Sequence, residues 1–202
     1  RFARGNGVVK LAADMQVNAH ESQVRIIGLL IKQVGDDIGG QAKLCAAVPG
    51  MRGTLLELPR CAGLVEPMLR ATPGGERVAI EVGDIVAAPP RDASYDTAIL
   101  RAVVQVLGPE AAARTVRNAA ACLRPGGTLY IIGGGILDDD RLGPPPAVFL
   151  NLTFLNFYAG GRAYTESEHR AWLAEAGCSS VHRLQLPSGR TAIVATKNPK
   201  ES

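Results

Sequence analysis

The sequence predicts an α/β protein: a doubly wound, seven-stranded, mostly parallel sheet with a C-terminal antiparallel hairpin. Three observations predict it. Short continuous apolar runs alternate with helix-like segments, the pattern of parallel strands buried on both faces. The run Val24–Val34 gives way to a turn containing Gly35, Gly39 and Gly40 and then a short helix, and the next run closes on the acid Glu57. Near the C-terminus, Val181–Leu186 and Thr191–Thr196 alternate around Pro187-Ser188-Gly189, which reads as a closing hairpin.

The elements follow in chain order. Residues 1–23 are mixed and polar and are expected to form a helical segment apart from the main domain, 24–202. Val24–Val34 supplies the first central strand. Gly40–Val48 is a helix ended by Pro49-Gly50. Thr54–Leu58 is the second strand, stopped by Pro59, which cannot donate to a ladder. Cys61–Arg70 is helical up to Thr72-Pro73-Gly74-Gly75, and Val78–Val82 is the third strand, followed at once by Gly83-Asp84. Tyr95–Leu100 is the fourth strand. The alanine-rich segment Pro109–Leu123 is a helix with proline in its first turn. Arg124-Pro125-Gly126-Gly127 ends it, and Thr128–Ile132 is the fifth strand. A surface loop carries Asp138-Asp139-Asp140 and Pro144-Pro145-Pro146; the aspartates read as a solvated turn rather than a metal site. Ala147–Tyr158 is an apolar helix expected over the mouth of the sheet. Thr165-Glu166-Ser167-Glu168 is a capping box that starts a helix over Glu166–Ala176, ended by Gly177.

Composition narrows the function. The 202 residues suit one domain with a real core, 47% hydrophobic and 20% charged. A net charge of +3, dispersed along the chain and without basic clusters among aromatics, argues against nucleic acid. Cys45, Cys61, Cys122 and Cys178 are scattered without metal-ligand spacing, so free thiols in a reducing, cytoplasmic setting are expected. No apolar run is long enough to span a bilayer. The chain starts at Arg1 rather than Met, which suggests a piece of a longer protein.

In a doubly wound sheet, ligands sit outside the carboxyl ends of the strands, at the switch point. Gly35, Glu57, Asp84 and Arg101 fall at those ends. Glycines let a backbone approach a ligand, and an acid at the tip of the second strand can accept from two ribose hydroxyls. The same turn also fits a plain strand-to-helix connection.

Several stretches together carry a family likeness: PGMRGTLLELP, EVGDI, YDTAILRAVVQVL, NAAACLRPGGTLYII and AGGRAYTESEHRAWLAEAGC. From about Val34 to the C-terminus the chain resembles the Rossmann-like catalytic domain of class I S-adenosylmethionine-dependent methyltransferases, in particular the acetylserotonin, caffeate and hydroxyneurosporene O-methyltransferases. The resemblance implies S-adenosylmethionine as cofactor. It implies that Gly35 and Gly39 belong to the glycine loop beside the methionine moiety, that Glu57 binds the ribose hydroxyls, and that Asp84 with Ile85 lies beside adenine. Arg101 matches a polar position near the carboxylate end of the cofactor. Relatives of this kind carry an N-terminal helical dimerisation domain, of which residues 1–23 would be the remnant; a homodimer through that domain is the implied assembly.

The chain departs from the family pattern in two places. The glycine loop reads Gln33-Val34-Gly35-Asp36-Asp37-Ile38-Gly39, with glutamine for the leading acid and aspartates for two inner glycines. Like charges a few ångströms apart repel by about 1 kcal/mol in water and more in a cleft, so this loop is expected to weaken or rebuild cofactor binding. The family's catalytic histidine aligns with Gln105, which cannot take a proton at neutral pH, and two supporting glutamates align with Gly134 and Ala163.

Other candidates carry two readings each. His169 can act as a base or pack; Tyr158 and Tyr164 can line an acceptor pocket or pack; Asn151 and Asn156, on an apolar helix, can orient an acceptor or cap a turn. Trp172 reads as core, and His20 and His182 as structural. Gln105, Asn151, Asn156 and Tyr158 are therefore the expected acceptor side. The expected activity is methyl transfer to a hydroxyl of an aromatic or polyketide-like small molecule. The alternative is a repurposed relative that binds a ligand or partner without methyl transfer.

Overall fold

The structure, a computed structural model, describes residues 25–30, 39–91, 94–186 and 189–199. Gly35, Asp36 and Asp37 of the glycine loop, and the helical segment expected over residues 1–23, lie outside them.

Seven strands form one sheet: β1 (Arg25–Leu30), β2 (Arg52–Glu57), β3 (Val78–Val82), β4 (Tyr95–Arg101), β5 (Leu123–Gly133), β8 (Cys178–Gln185) and β9 (Thr191–Lys197). Their order is β3-β2-β1-β4-β5-β9-β8. The first five are parallel. β9 runs antiparallel between β5 and β8, which is the expected hairpin. The order reverses between β1 and β4, so the switch point lies where the carboxyl ends of β1, β2 and β4 meet.

Helices α1 (Gly39–Ala47), α2 (Pro59–Arg70), α3 (Pro109–Ala121), α4 (Pro145–Phe157) and α5 (Glu166–Glu175) follow the sequence expectations within two or three residues. α2 and α3 begin on prolines, whose missing N–H costs nothing in a first turn. α3 turns Ala112, Val116, Ala119 and Ala120 inward, a stripe of small residues that lets the helix lie close to the sheet. The capping box of α5 is formed: the Glu168 N–H donates to Thr165 Oγ1 at 3.2 Å and the Thr165 N–H to Glu168 Oε2 at 2.7 Å.

Alternation within the strands feeds two cores. Leu100, Leu129 and Ile131 pack on one face with α3, Tyr164 and Leu173. Ile99, Tyr130 and Ile132 pack on the other with Cys45, Leu55 and Leu69. A third cluster, Leu137, Ala147, Phe154 and Ala163, ties α4 down at the sheet's edge.

Two features differ from expectation. β5 begins at Leu123 rather than Thr128, because Leu123 pairs with Tyr95 before the register shifts between Tyr95 and Thr97. Gly126 takes φ +77° there, so Pro125-Gly126-Gly127 is a bulge within the strand and not a break before it. A two-residue parallel pair, β6 (Ile136–Leu137) with β7 (Tyr164–Thr165), brings the start of α5 beside the end of β5. All four cysteines are free, as expected.

Candidate active site

The strand ends bring together residues far apart in sequence. Glu57 pairs with Val82 in register, so the acid at the tip of β2 sits beside the turn that carries Asp84. The Gly83 N–H donates to the Glu57 carbonyl at 2.9 Å and holds the two tips together. The Glu57 side chain is only 7% exposed. Burial raises its pKa above the ordinary 4.5, and a single backbone N–H, that of Leu58, works against the shift. A buried carboxylate with one N–H partner keeps acceptor capacity for further donors, such as paired hydroxyls.

Asp84 is exposed and caps its own turn, with Oδ1 accepting from the Val86 N–H at 2.9 Å. Ile85 differs from the expectation for a residue lying against a ligand. Its side chain is buried in the main core and its carbonyl accepts from Asn118 Nδ2 at 2.6 Å. A β-branched apolar side chain directly after a strand is drawn inward, so what Ile85 offers the cleft is backbone. Gly39 opens α1, whose first N–H groups have no partner within the helix. Arg101, paired with Leu30 at the end of β4, reaches the same place: a Cβ on Gly40 would stand 3.7 Å from Arg101 Nη1.

A cavity of about 460 Å³ opens on the other side of the switch point. Its floor is the end of β5, Gly133 and Gly134; its roof is α4, through Ala147, Leu150, Thr153 and Phe154; the β8–β9 turn closes one wall. The three glycines at 133–135 make this closeness possible. A Cβ on Gly134 would stand 2.5 Å from Leu150 Cδ1, and one on Gly135 2.6 Å from Phe154 Cε2. Gln105, in the 3₁₀ turn Val104–Val106, is 8% exposed and lines the cavity, with its amide 3.3 Å from where a Gly133 Cβ would be.

Of the acceptor-side residues expected from sequence, Gln105 and Tyr158 line this cavity, and Asn151 and Asn156 do not. Asn151 Oδ1 accepts from the Ala163 N–H at 2.7 Å, fastening α4 to the following loop. Asn156 is exposed and its Nδ2 donates to the Leu152 carbonyl one turn back. The face of α4 at 147, 150, 153 and 154 looks into the cavity; Asn156 falls outside it, and Asn151, at the edge of that face one turn from Ala147, is turned to the Ala163 N–H instead. Tyr164 is core; its ring meets Trp172 edge-on at 4.8 Å and its hydroxyl donates to the Leu107 carbonyl. His169 packs, too. It is buried, its Nδ1 lies 2.7 Å from the Thr165 carbonyl and so carries the proton, and burial lowers its pKa. Trp172 packs against the core as expected, and His182 is exposed on the hairpin.

Among the described residues no histidine, carboxylate or lysine lines the cavity, and no cluster of His, Cys, Asp and Glu could hold a metal ion. The three aspartates form the expected turn. Asp138 pairs with Arg183 at 2.6 Å, Asp139 accepts from the Ser167 N–H and hydroxyl, and Asp140 from the Leu142 N–H. Sequence reasoning did not find Gln185, Arg190 and Thr191, which border the cavity from the hairpin. The signal available was topological: β9 enters the sheet beside the end of β5, with Thr191 opposite Gly133.

Comparisons with known proteins agree with this fold. A family model described as a methyltransferase domain matches residues 54–131. The chain is 28% identical over 165 residues to 3-hydroxy-5-methyl-1-naphthoate 3-O-methyltransferase of Streptomyces sahachiroi, covering 79% of this chain and 47% of that one. It is 32% identical to acetylserotonin O-methyltransferase of Mus musculus, covering 79% and 41%. It is 29% identical to aclacinomycin 10-hydroxylase RdmB of Streptomyces purpurascens, covering 80% and 42%. The chain thus spans less than half the length of these relatives. In fold it matches human N-acetylserotonin methyltransferase, solved in complex with SAM, at a TM-score of 0.74 and 21% identity over 97% of this chain and 52% of that one.

Proposed function

The chain belongs to the class I S-adenosylmethionine-dependent O-methyltransferases, in their acetylserotonin-like branch, and on that premise we propose that it binds S-adenosylmethionine at the strand ends and methylates a hydroxyl of an aromatic or polyketide-like small molecule. The observation that carries this reading is the pairing of two sites across the switch point: a buried carboxylate with unused acceptor capacity on the β2 tip, and a half-open cavity at the end of β5.

The described residues at the ends of β2, β3 and β4 have the donor and acceptor chemistry that this cofactor needs. Glu57 would accept from the ribose hydroxyls, Asp84 and the Ile85 backbone would border adenine, and Gly35, Gly39 and Arg101 would hold the amino-acid end. When bound, this cofactor supplies a methyl group already activated on a sulfonium. The chain's part is then to orient the acceptor and exclude water. Gln105, held next to Gly133, can donate to or accept from the acceptor oxygen but cannot remove its proton. Since no lining residue is a base among those described, the acceptor hydroxyl must ionise readily itself, which favours an acidic phenol over an alkyl alcohol.

The exposed apolar side of α4, with Phe149 73% and Phe157 78% exposed, supports a covering partner, which we take to be a helical domain through which two copies pair. No helix among the described residues is long and apolar enough to cross a membrane. The four free cysteines support a cytoplasmic setting.

Titration calorimetry with S-adenosylmethionine and S-adenosylhomocysteine, followed by mass spectrometry of acidic phenols incubated with protein and S-adenosylmethionine, tests the proposal. Saturable binding that is lost in Glu57→Ala, together with a methyl-ether product, is the expected result. A second reading has its own support in Gln105 and in the likeness to a hydroxylase: the cofactor is bound but its methyl is not transferred. Tight binding with no methylated product from any acidic phenol would favour it. No heat with either nucleoside would overturn both.

A further inference from the structure

Arg190 is the one charged residue among those lining the cavity. The rest of the wall is apolar (Pro144, Pro146, Ala147, Leu150, Phe154) or neutral and polar. Among the described residues no carboxylate pairs with Arg190, while Asp138 and Glu166 are committed to Arg183 on β8, and Glu166 also holds Arg170. The backbone that carries Arg190 is fixed. Its carbonyl accepts from the Leu186 N–H at 2.8 Å, and the Gly189 N–H donates to the Leu186 carbonyl at 2.9 Å. Across the turn, Gln185 donates to the Gly189 carbonyl and accepts from the Thr191 hydroxyl, and it is neutral, so Arg190 alone brings charge to the cavity.

The position of Arg190 relative to Gln105 gives this cation a use. Thr191, the next residue, stands opposite Gly133, and the Gln105 amide lies against Gly133. Gln105 and Arg190 both line this one cavity of about 460 Å³, so a single aromatic guest can meet both. A half-buried guanidinium beside a largely apolar cavity binds a carboxylate through two parallel charge-assisted hydrogen bonds and gains little from a neutral group.

We propose that Arg190 selects an acceptor that carries a carboxylate as well as the hydroxyl, so that the substrate class is a hydroxy-aromatic acid held by Arg190 at the acid and Gln105 at the hydroxyl. The inference rests on the methyl-transfer reading for the second contact only; recognition of the carboxylate requires the cavity alone. A charge-assisted contact of this kind is worth about tenfold to a hundredfold in affinity or kcat/KM.

The test uses 6-hydroxy-2-naphthoic acid, its methyl ester and 2-naphthol as probes, with the full chain, by calorimetry and by methyl-ether formation. The acid is expected to bind about tenfold or more tighter than the ester or naphthol. Arg190→Gln is expected to erase that preference, and Arg190→Lys to keep part of it. S-adenosylhomocysteine affinity, expected to be the same in all three proteins, reports that the variants are folded. Equal affinity of the wild type for acid and ester, or an acid preference that survives Arg190→Gln, overturns the role of Arg190. Preferred binding of the acid, with no methyl ether formed from it or from any acidic phenol, supports Arg190 and instead sinks the methyl-transfer reading, so the two failures are distinct.

Discussion

The side chain of Gln41 fills the space that a side chain on Gly28 would need: its Nε2 lies 1.5 Å, and its Cδ 2.5 Å, from the position of a Cβ on Gly28. Gly28 is in the centre of β1 and Gln41 is in the first turn of α1, so this contact sets how closely the helix after the glycine loop approaches the sheet. Gln41 is buried, and its Nε2 donates to the Thr54 carbonyl on β2 at 3.3 Å.

Gly28→Ala must displace that amide and is expected to cost about 1–3 kcal/mol, the range for overpacking a core. The paired variant Gly28→Ala with Gln41→Ala should lose less than the sum of the two single changes, because the clash disappears with the longer side chain. Urea unfolding of the four proteins measures the coupling. Strict additivity would show that the helix moves away instead.

Glu57 gives a pH dependence with a definite sign. Its pKa is raised in the folded chain, so the fold binds this proton more readily than the unfolded chain does. Its contribution to stability is present at low pH and falls as pH rises from about 4.5 through the raised value. Ribose hydroxyls that donate to the carboxylate favour its charged form, so cofactor binding should release a proton within that window and strengthen as pH rises across it. Calorimetry in two buffers of different ionisation heat counts the proton. Glu57→Gln should weaken binding by about tenfold or more, the worth of hydrogen bonds to a charged group. A gain in thermal stability of the ligand-free chain at neutral pH should accompany that loss.

Glu168 behaves in the opposite sense. Burial alone would raise its pKa, but the Thr165 N–H, Arg141 and Arg162 together hold it below the usual 4.5. Its contribution is present above that value and is lost as pH falls through the lowered one. Glu168→Gln keeps the reach of the capping box and loses both ion pairs, so it is expected to cost about 1 kcal/mol at neutral pH and close to nothing under strongly acid conditions. Thermal melts of the two proteins at several pH values should converge on the acid side.

Gln105→His places a titratable ring in the cavity, against Gly133 and clear of any carboxylate among the described lining residues. Turnover of weakly acidic phenols should rise, with a new ascending limb near pH 6.5, the ordinary histidine value. Acceptors that ionise unaided should gain little. A pH–rate profile identical to that of the wild type would mean that deprotonation does not limit the reaction.

The chain announces its cofactor side more clearly than its acceptor side, for a physical reason. Strand ends are marked locally: Glu57 closes an apolar run, Asp84 follows a glycine, and the Thr165–Glu168 box is a local hydrogen-bond motif. Which face of α4 looks inward has no such marker. Phe149, Leu150, Leu152, Phe154, Leu155 and Phe157 make the helix apolar all round, so the sequence shows no stripe and polar Asn151 and Asn156 stand out for the wrong reason. Arg190 lies 85 positions from Gln105 in the chain, and only the antiparallel return of β9 beside β5 makes them neighbours of one cavity. The bulge at Pro125-Gly126-Gly127 was hidden because turn residues mark a bend without saying whether pairing resumes before or after it.

The cavity whose floor is Gly133 and Gly134 draws on a different part of the chain from the strand tips. Everything proposed to hold the nucleoside comes from the chain before Ala102, and nearly everything that borders the cavity comes after it. A lineage of such proteins can therefore exchange α4 and the last hairpin for new versions, acquire a different guest molecule, and leave the methyl donor's seat untouched.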